Sequence, residues 1–417
     1  MKISGMRWKR TAALILAAGI LVTAGCSRER KEASLTMSGN KSETASAEVI
    51  EDILADYMEE HSDTSVSYEE RENYDYYDMW QNREDTGQLD DIILTGRDTA
   101  RKLTGSGGLE DMAGFVRDLP FPQNMKEQMK SRGRRICRIP LTLSSFGMYC
   151  NLKILQEHGQ KVPGTLEEWV DICEYFKTCG ITPVIANNDT SITTMVLAKS
   201  LYPLYKSGVM EGKLKRIEDG EKELSDYLLR GFTLARDFCT RGYIDRKKAL
   251  ETEPLSDDLE EFVKGESPFM LTGTEAAEEV KAMNPGFEFK VVPYPVLEEG
   301  SVLIVNPGDW LSIPAEGKNT ERAKEVVQYI LKEENMKKLA DVRGSFSPLA
   351  DQQQPEMEEI RDIVESYETE VVVIAEDINA VFPMWDITGE AVGRLLEDED
   401  LDLLMEWMNE QAREAVN

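Results

Sequence analysis

From residue 33 onward the apolar positions fall into short runs that switch between a two-residue and a 3.6-residue period. Ala33 to Met37 and Thr64 to Glu69 read as strands, and Asp91 to Leu94 reads as a third, ending at Thr95-Gly96. Between the first two, Glu48 to Glu60 sets Val49, Ile50, Ile53, Leu54, Tyr57 and Met58 on one face of a helix. The run Tyr74-Asp75-Tyr76-Tyr77-Asp78-Met79-Trp80 starts another helix, and its aromatic face reads as burial against the first sheet rather than as a ligand platform. Strands alternating with helices predict βαβ units and a parallel sheet.

Met148 to Lys153 begins a second block, in which two helices bracket the turn Val162-Pro163-Gly164. Thr165 with Glu168 makes a capping box ahead of Trp169, and Gly180 to Ile185 reads as a helix exit followed by a buried strand. Residues 190 to 285 read as mostly helical. Lys290 to Pro295 is a strand with a proline-marked crossing, and Ser301 to Ile313 holds strands around a turn at Asn306-Pro307-Gly308-Asp309. From Thr320, a candidate N-cap, the pattern is helical again, closing on an amphipathic helix Leu401 to Val416. The acid run Glu397 to Asp400 lacks the Gly and Glu spacing of a calcium loop and reads as a solvated helix cap.

The first 26 residues change the picture. Lys2, Arg7, Lys9 and Arg10 precede an apolar run, Thr11 to Val22, and then Thr23-Ala24-Gly25-Cys26. A basic start, a short apolar run and small residues describe a secretory signal, and the run is well short of the roughly 20 residues that span a bilayer. Cys26 after Ala-Gly resembles a bacterial lipobox, with Thr23 where Leu or Val is usual. The resemblance implies lipidation at Cys26, a removed leader at 1–25 and a tether at 26–32. The whole chain carries −30, and the leader carries +4 with no acid, so −34 remains on the rest. That sign speaks against nucleic acid and anionic lipid as partners. A hydrophobic content of 41% supports a real core, and the length suits two or three domains.

Beyond Cys26 lie Cys137, Cys150, Cys173, Cys179 and Cys239, an odd number with no CxxC, which reads as buried free thiols. A zinc site needs about four closely spaced ligands, and with only His61 and His158 neither a metal nor a histidine base is predicted. No cofactor is expected.

Several separated segments resemble one family, the family 1 extracellular solute-binding lipoproteins of bacterial ABC importers, most of which bind carbohydrate. They are Ile139-Pro140-Leu141-Thr142 with Gly147 to Leu155, then His158-Gly159 with Val162 to Trp169, and Cys179 to Pro183. Phe262 to Gly265 with Phe269 to Gly273, and Thr320 to Leu339 with Gly344 and Pro348, complete the set. Cys150 replaces a common Tyr, and Thr274-Glu275 stands where many members have Ser-Trp. The resemblance implies an α/β, two-lobed periplasmic-binding-protein-like (type II) fold with a ligand cleft between the lobes. Lobe 1 is expected over 33–142 plus 300–346 and lobe 2 over 143–299 plus 347–417, with crossovers near Pro140 to Ser145, Pro293 to Ser301 and Phe346 to Leu349.

A sugar needs aromatic planes for its CH faces and short polar groups for its hydroxyls. The leading candidates are Asp309 and Trp310, the first as acceptor and the second as stacking plane; the alternative is a turn residue and a core filler. Ser38, Thr95 and Arg97 follow strands and are either cleft residues or ordinary loop ends. Tyr149 and Asn151 are either at the entry to lobe 2 or in its packing, and Glu275 and Trp385 are further candidates. The implied role is non-enzymatic: a monomeric, anchored receptor that captures a sugar or oligosaccharide and delivers it to ABC permease subunits. A binder of a non-sugar solute such as a peptide or polyamine, or one serving a sensor, remains open. So does a secreted glycoside hydrolase, which needs only two carboxylates about 5 to 9.5 Å apart.

Overall fold

The computed structural model describes residues 33–40, 44–71, 73–95, 108–130, 135–208, 210–342, 345–349, 357–369, 371–376 and 380–416. The leader, the tether, Cys26 and Arg97 lie outside these residues. Ten strands join: β1 (Ala33–Asn40), β2 (Thr64–Arg71), β3 (Ile92–Thr95), β4 (Ile139–Asn151), β5 (Val184–Ile185), β6 (Phe269–Gly273), β7 (Phe289–Val292), β8 (Tyr294–Leu297), β9 (Gly300–Ser312) and β10 (Val372–Ile374). The main path runs β2-β1-β3-β9-β4-β6-β5, with β7 on β4 and with β8 and β10 on β9. β1, β2 and β3 are parallel, as the alternating pattern predicts, and β9 and β4 lie antiparallel beyond them.

The helix expected from Glu48 begins four residues earlier, at Thr44. Apolar periodicity marks only the buried face, here Ile50, Ile53, Leu54 and Tyr57, so a polar first turn is invisible to it. Trp80, at the end of the aromatic run, packs with Ile93, Leu109 and Cys137, while the side chains of Tyr74 to Asp78 lie outside the described residues. Thr165 caps the helix Leu166–Thr178 by accepting from the Glu168 backbone N–H at 3.3 Å. Trp169 is then buried with its ring 4.6 Å from Phe238. Gly180 ends that turn at φ +77°, a left-handed conformation that glycine adopts without strain.

Several expectations need correction. Asn306-Pro307-Gly308-Asp309 is no turn but the middle of β9, one continuous strand of 13 residues. Its proline is tolerated because Leu143, the residue opposite, exchanges both backbone hydrogen bonds with Phe346, at 2.9 and 2.8 Å. The stretch 190–285 is mostly helical, as expected, but it also holds β6, whose fully buried Phe-Met-Leu-Thr-Gly has no alternation to reveal it. The β-branched run Val372–Ile374 is likewise a strand within the expected helical C-terminal part. Asn319, not Thr320, is the N-cap of the helix Thr320–Ile330; the Thr320 hydroxyl instead donates to the Gly317 carbonyl.

Of the other stretches expected to cross between lobes, Pro140 to Ser145 lies inside β4, and Pro293 to Ser301 holds β8 and the tight turn into β9. In the acid run, Asp400 caps the helix Leu401–Val416 and Glu399 pairs with Arg394. Cys137, Cys150, Cys173 and Cys239 are buried free thiols, and Cys179 is exposed. Burial pushes the Cys150 and Cys173 thiols well up from their ordinary value.

The helices Thr190–Lys206 and Ser225–Thr240 cross at Gly231, where a Cβ would lie 2.3 Å from the Val196 carbonyl oxygen and 2.4 Å from Ser200 Oγ. That carbonyl is backbone inside a packed helix and cannot swing aside. Gly231→Ala is expected to lower unfolding free energy by about 1–3 kcal/mol through overpacking, read as a fall in the urea midpoint with an unchanged slope.

Candidate functional site

The register of β4 against β9 locates a polar strip. Successive pairs are Pro140 with Trp310, Thr142 with Gly308, Leu143 with Pro307, Ser144 with Asn306, Ser145 with Val305, and Phe146 with Ile304. Side chains alternate across a strand, so Thr142, Gly308, Ser144 and Asn306 share one face while Leu143, Pro307, Ser145 and Val305 share the other. The second set faces a core that also holds Phe346. In the first set, Ser144 is the one position of β4 that is not buried, and Asn306 and Gly308 are also partly open. Gly308 leaves space for Thr142, whose Oγ1 would stand 2.7 Å from a Cβ there.

Strand ends converge on this strip from both directions. β3 ends at Thr95 beside Trp310, and β1 ends one step past the pairing of Gly39 with Leu94. From the other side, β6 ends at Gly273 beside Phe146, and β10 ends at Ile374 beside Val305. The carboxyl ends of parallel strands are where α/β sheets place their ligands. From Pro140 to Phe146 the strip is about 20 Å long at the usual rise per residue.

Two of the residues singled out from the sequence meet here. Trp385 opens the helix Met384–Leu396, is partly exposed, and lies 6.1 Å ring to ring from Phe146 at a 31° tilt. Glu275, in the 3₁₀ turn Thr274–Ala276, folds its carboxylate back over Gly273, the partner of Phe146. Its neighbour Thr274 is pinned by a 2.7 Å hydrogen bond between its hydroxyl and that of Ser145. Burial, then the negative charge of Asp258, push the Glu275 carboxyl up to about 7, against the pull of its own backbone N–H.

The other candidates are placed differently. Trp310 is only 2% exposed and lies under the Arg138 guanidinium, 5.7 Å from its ring centroid, so it presents no open plane. Asp309 is in β9, and its side chain, like that of Thr95, is outside the described residues. Ser38 is buried in β1 opposite Ile93. Tyr149 is fully buried, stacked 5.8 Å from Phe289, and donates its hydroxyl hydrogen to the Gly273 carbonyl at 2.7 Å. Asn151 caps the helix Leu152–Glu157, its Oδ1 accepting from the Lys153 and Ile154 N–H groups.

Sequence reasoning missed Ser144 and Asn306. Asn306 Oδ1 is buried with no hydrogen-bond partner, the signature of an acceptor awaiting a donor. The available signal was a small polar residue at every second position of Leu141-Thr142-Leu143-Ser144, in a stretch that is otherwise core. Toward the end of β1, Gly39 makes room for the partly exposed Tyr68 ring, whose hydroxyl would lie 2.3 Å from a Cβ on that glycine.

A family model described as bacterial extracellular solute-binding protein matches residues 40–337. The melibiose/raffinose/stachyose-binding protein MelE of Bacillus subtilis is 22% identical over 357 residues, covering 82% of this chain and 81% of the relative. The multiple sugar-binding protein of Streptococcus mutans is 27% identical over 220 residues, 51% of each. Among solved structures, a family 1 extracellular solute-binding protein from Bifidobacterium longum subsp. infantis superposes with a TM-score of 0.78 at 16% identity, covering 91% of this chain and 99% of that one.

Glu275 carries a stability consequence whose sign follows from its shift. Its folded-state value lies above the ordinary 4.5, so burial costs nothing below about 4.5 and the full penalty above about 7. Glu275→Gln is therefore expected to stabilise the ligand-free protein at pH 8 by roughly 1–3 kcal/mol. The gain should vanish as pH falls through that window, followed as melting temperature against pH.

Proposed function

The chain belongs to the bacterial extracellular solute-binding protein family, and on that premise we propose that it captures a sugar or short oligosaccharide over the β4–β9 strip and passes it to an ABC permease. The observation that carries the reading is the polar strip itself. A row of small polar groups, Thr142, Ser144 and Asn306, lines one face of two mostly apolar strands, and a partly open indole, Trp385, borders it. Hydroxyls need such two-way partners, and a pyranose face needs such a plane.

In this reading lobe 1 comprises about 33–142 plus 300–346, and lobe 2 about 143–299 plus 347–417. They close over the strip by bending where β4, β9 and the segment around Phe346 pass between them. Capture makes and breaks no covalent bond. The melibiose, raffinose and stachyose in the name of the Bacillus subtilis relative set the first ligands to try. No helix among the described residues is long and apolar enough to cross a membrane, and the proposed anchor is a lipid on Cys26. Ser38, Thr95, Arg97 and Asp309 stay in the proposed ligand set. Trp310, Tyr149 and Asn151 are assigned to packing and capping beneath the site.

A melting-temperature screen with mono- and oligosaccharides tests this, because a ligand of the native state stabilises it by mass action. At least one sugar is expected to raise the melting temperature in a concentration-dependent way. Trp385→Ala should weaken that sugar about three- to tenfold through the lost ring face. A panel that leaves the melting curve unmoved at millimolar concentration removes the sugar reading.

A further inference from the structure

The β6 end of the strip carries one acid that packing does not require. The Glu275 carboxylate lies so close over Gly273 that a Cβ on that glycine would sit 2.0 Å from Oε1. Gly273 is opposite Phe146 and the Phe146 ring centroid lies 6.1 Å from that of Trp385, so the residue under the carboxylate is paired with the one beside the indole. Glu275 Oε2 is buried and has no hydrogen-bond partner. The neighbouring acid Asp258 contrasts with it, accepting from Asn187 Nδ2 at 2.8 Å and from the Ser256 and Leu259 backbone N–H groups. A buried carboxylate with open lone pairs is unfavourable until donors reach it.

We propose that Glu275 is the specificity determinant of this end of the site: its carboxylate takes hydroxyl donors from an uncharged ring whose apolar face lies on Trp385. The proposal rests on the sugar reading above. An uncharged donor completes the carboxylate's shell without a second buried charge to desolvate. The titratable groups that face Glu275 are Asp258 from the helix Asp257–Phe262, Tyr149 from β4 and Tyr294 from β8; Asp258 and the tyrosines all disfavour its charged form or are themselves held neutral by burial. Neither histidine is there, since His61 stacks on Tyr57 and His158 lies against Tyr175. A ligand that donates to the carboxylate binds the ionised form, so its affinity rises with pH through the neutral range and levels off above it.

Isothermal titration of the full chain with melibiose, raffinose, stachyose and, as a cationic comparison, putrescine tests this at pH 6, 7 and 8. The expected result is a sugar affinity about tenfold higher at pH 8 than at pH 6. Glu275→Gln should be at least tenfold weaker than wild type at pH 8, with no pH slope. Gly273→Ala, which displaces the carboxylate, should lose the same slope. Sugar binding by wild type that is independent of pH, or undiminished in Glu275→Gln, overturns the role of Glu275 and leaves the sugar reading standing. Binding of putrescine alone, or of none of the four, overturns both.

Discussion

An antiparallel ribbon must keep its backbone hydrogen bonds in register whatever its side chains do, and the rest of this structure depends on that constraint. β4 and β9 run unbroken past the place where the side chains change from apolar to polar and back. At each end the ribbon is walled by parallel strands and helices that bury its faces. In the middle one face stays covered by Leu143, Val305 and Phe346, while Thr142, Ser144, Asn306 and Gly308 occupy the other. Because the ladder continues underneath, the polar groups are held on paired strands rather than on loops.

The chemistry over those strands is uneven. Near β1 and β3 the aromatic ring in line with the strip, Trp310, is sealed beneath Arg138 and serves the core. Near β6, Trp385 is partly open, and the acid beside it is held in place by the absence of a side chain on Gly273. A glycine there is a positioning device: it removes bulk so that a carboxylate can lie flat against the sheet beside an aromatic surface. The cost is a charge kept from water, visible in the upward displacement of its ionisation to about 7.

Much of the fold was legible. The period-two and period-3.6 runs placed β1, β2, β3 and the helix that follows β1, and the capping box at Thr165 and the terminal helix Leu401–Val416 are where the residues point. What failed has two physical causes. A strand buried on both faces, such as β6, carries no alternation, and Asn-Pro-Gly in β9 has the composition of a turn while sitting in a ladder. Proline is tolerated there only because Leu143 hydrogen-bonds to Phe346, about forty residues further along the chain than Pro307, and no local pattern reports a partner so distant. The site was partly legible for the same reason. Glu275 and Trp385 stand out by residue type, whereas Ser144 and Asn306 become visible only when two strands are laid side by side.

The unpaired sulfurs have a consequence for the lifetime of the molecule. Four of the five described thiols are sealed in the core, where oxidants cannot reach them and where burial suppresses the reactive thiolate. Among the five, Cys179 is the one that the folded chain leaves exposed. Once it opens in air, all five sulfurs become competitors for one another and for neighbouring chains, and wrong crosslinks trap what unfolded. For the four buried thiols, resistance to ageing and resistance to unfolding are governed by the same barrier.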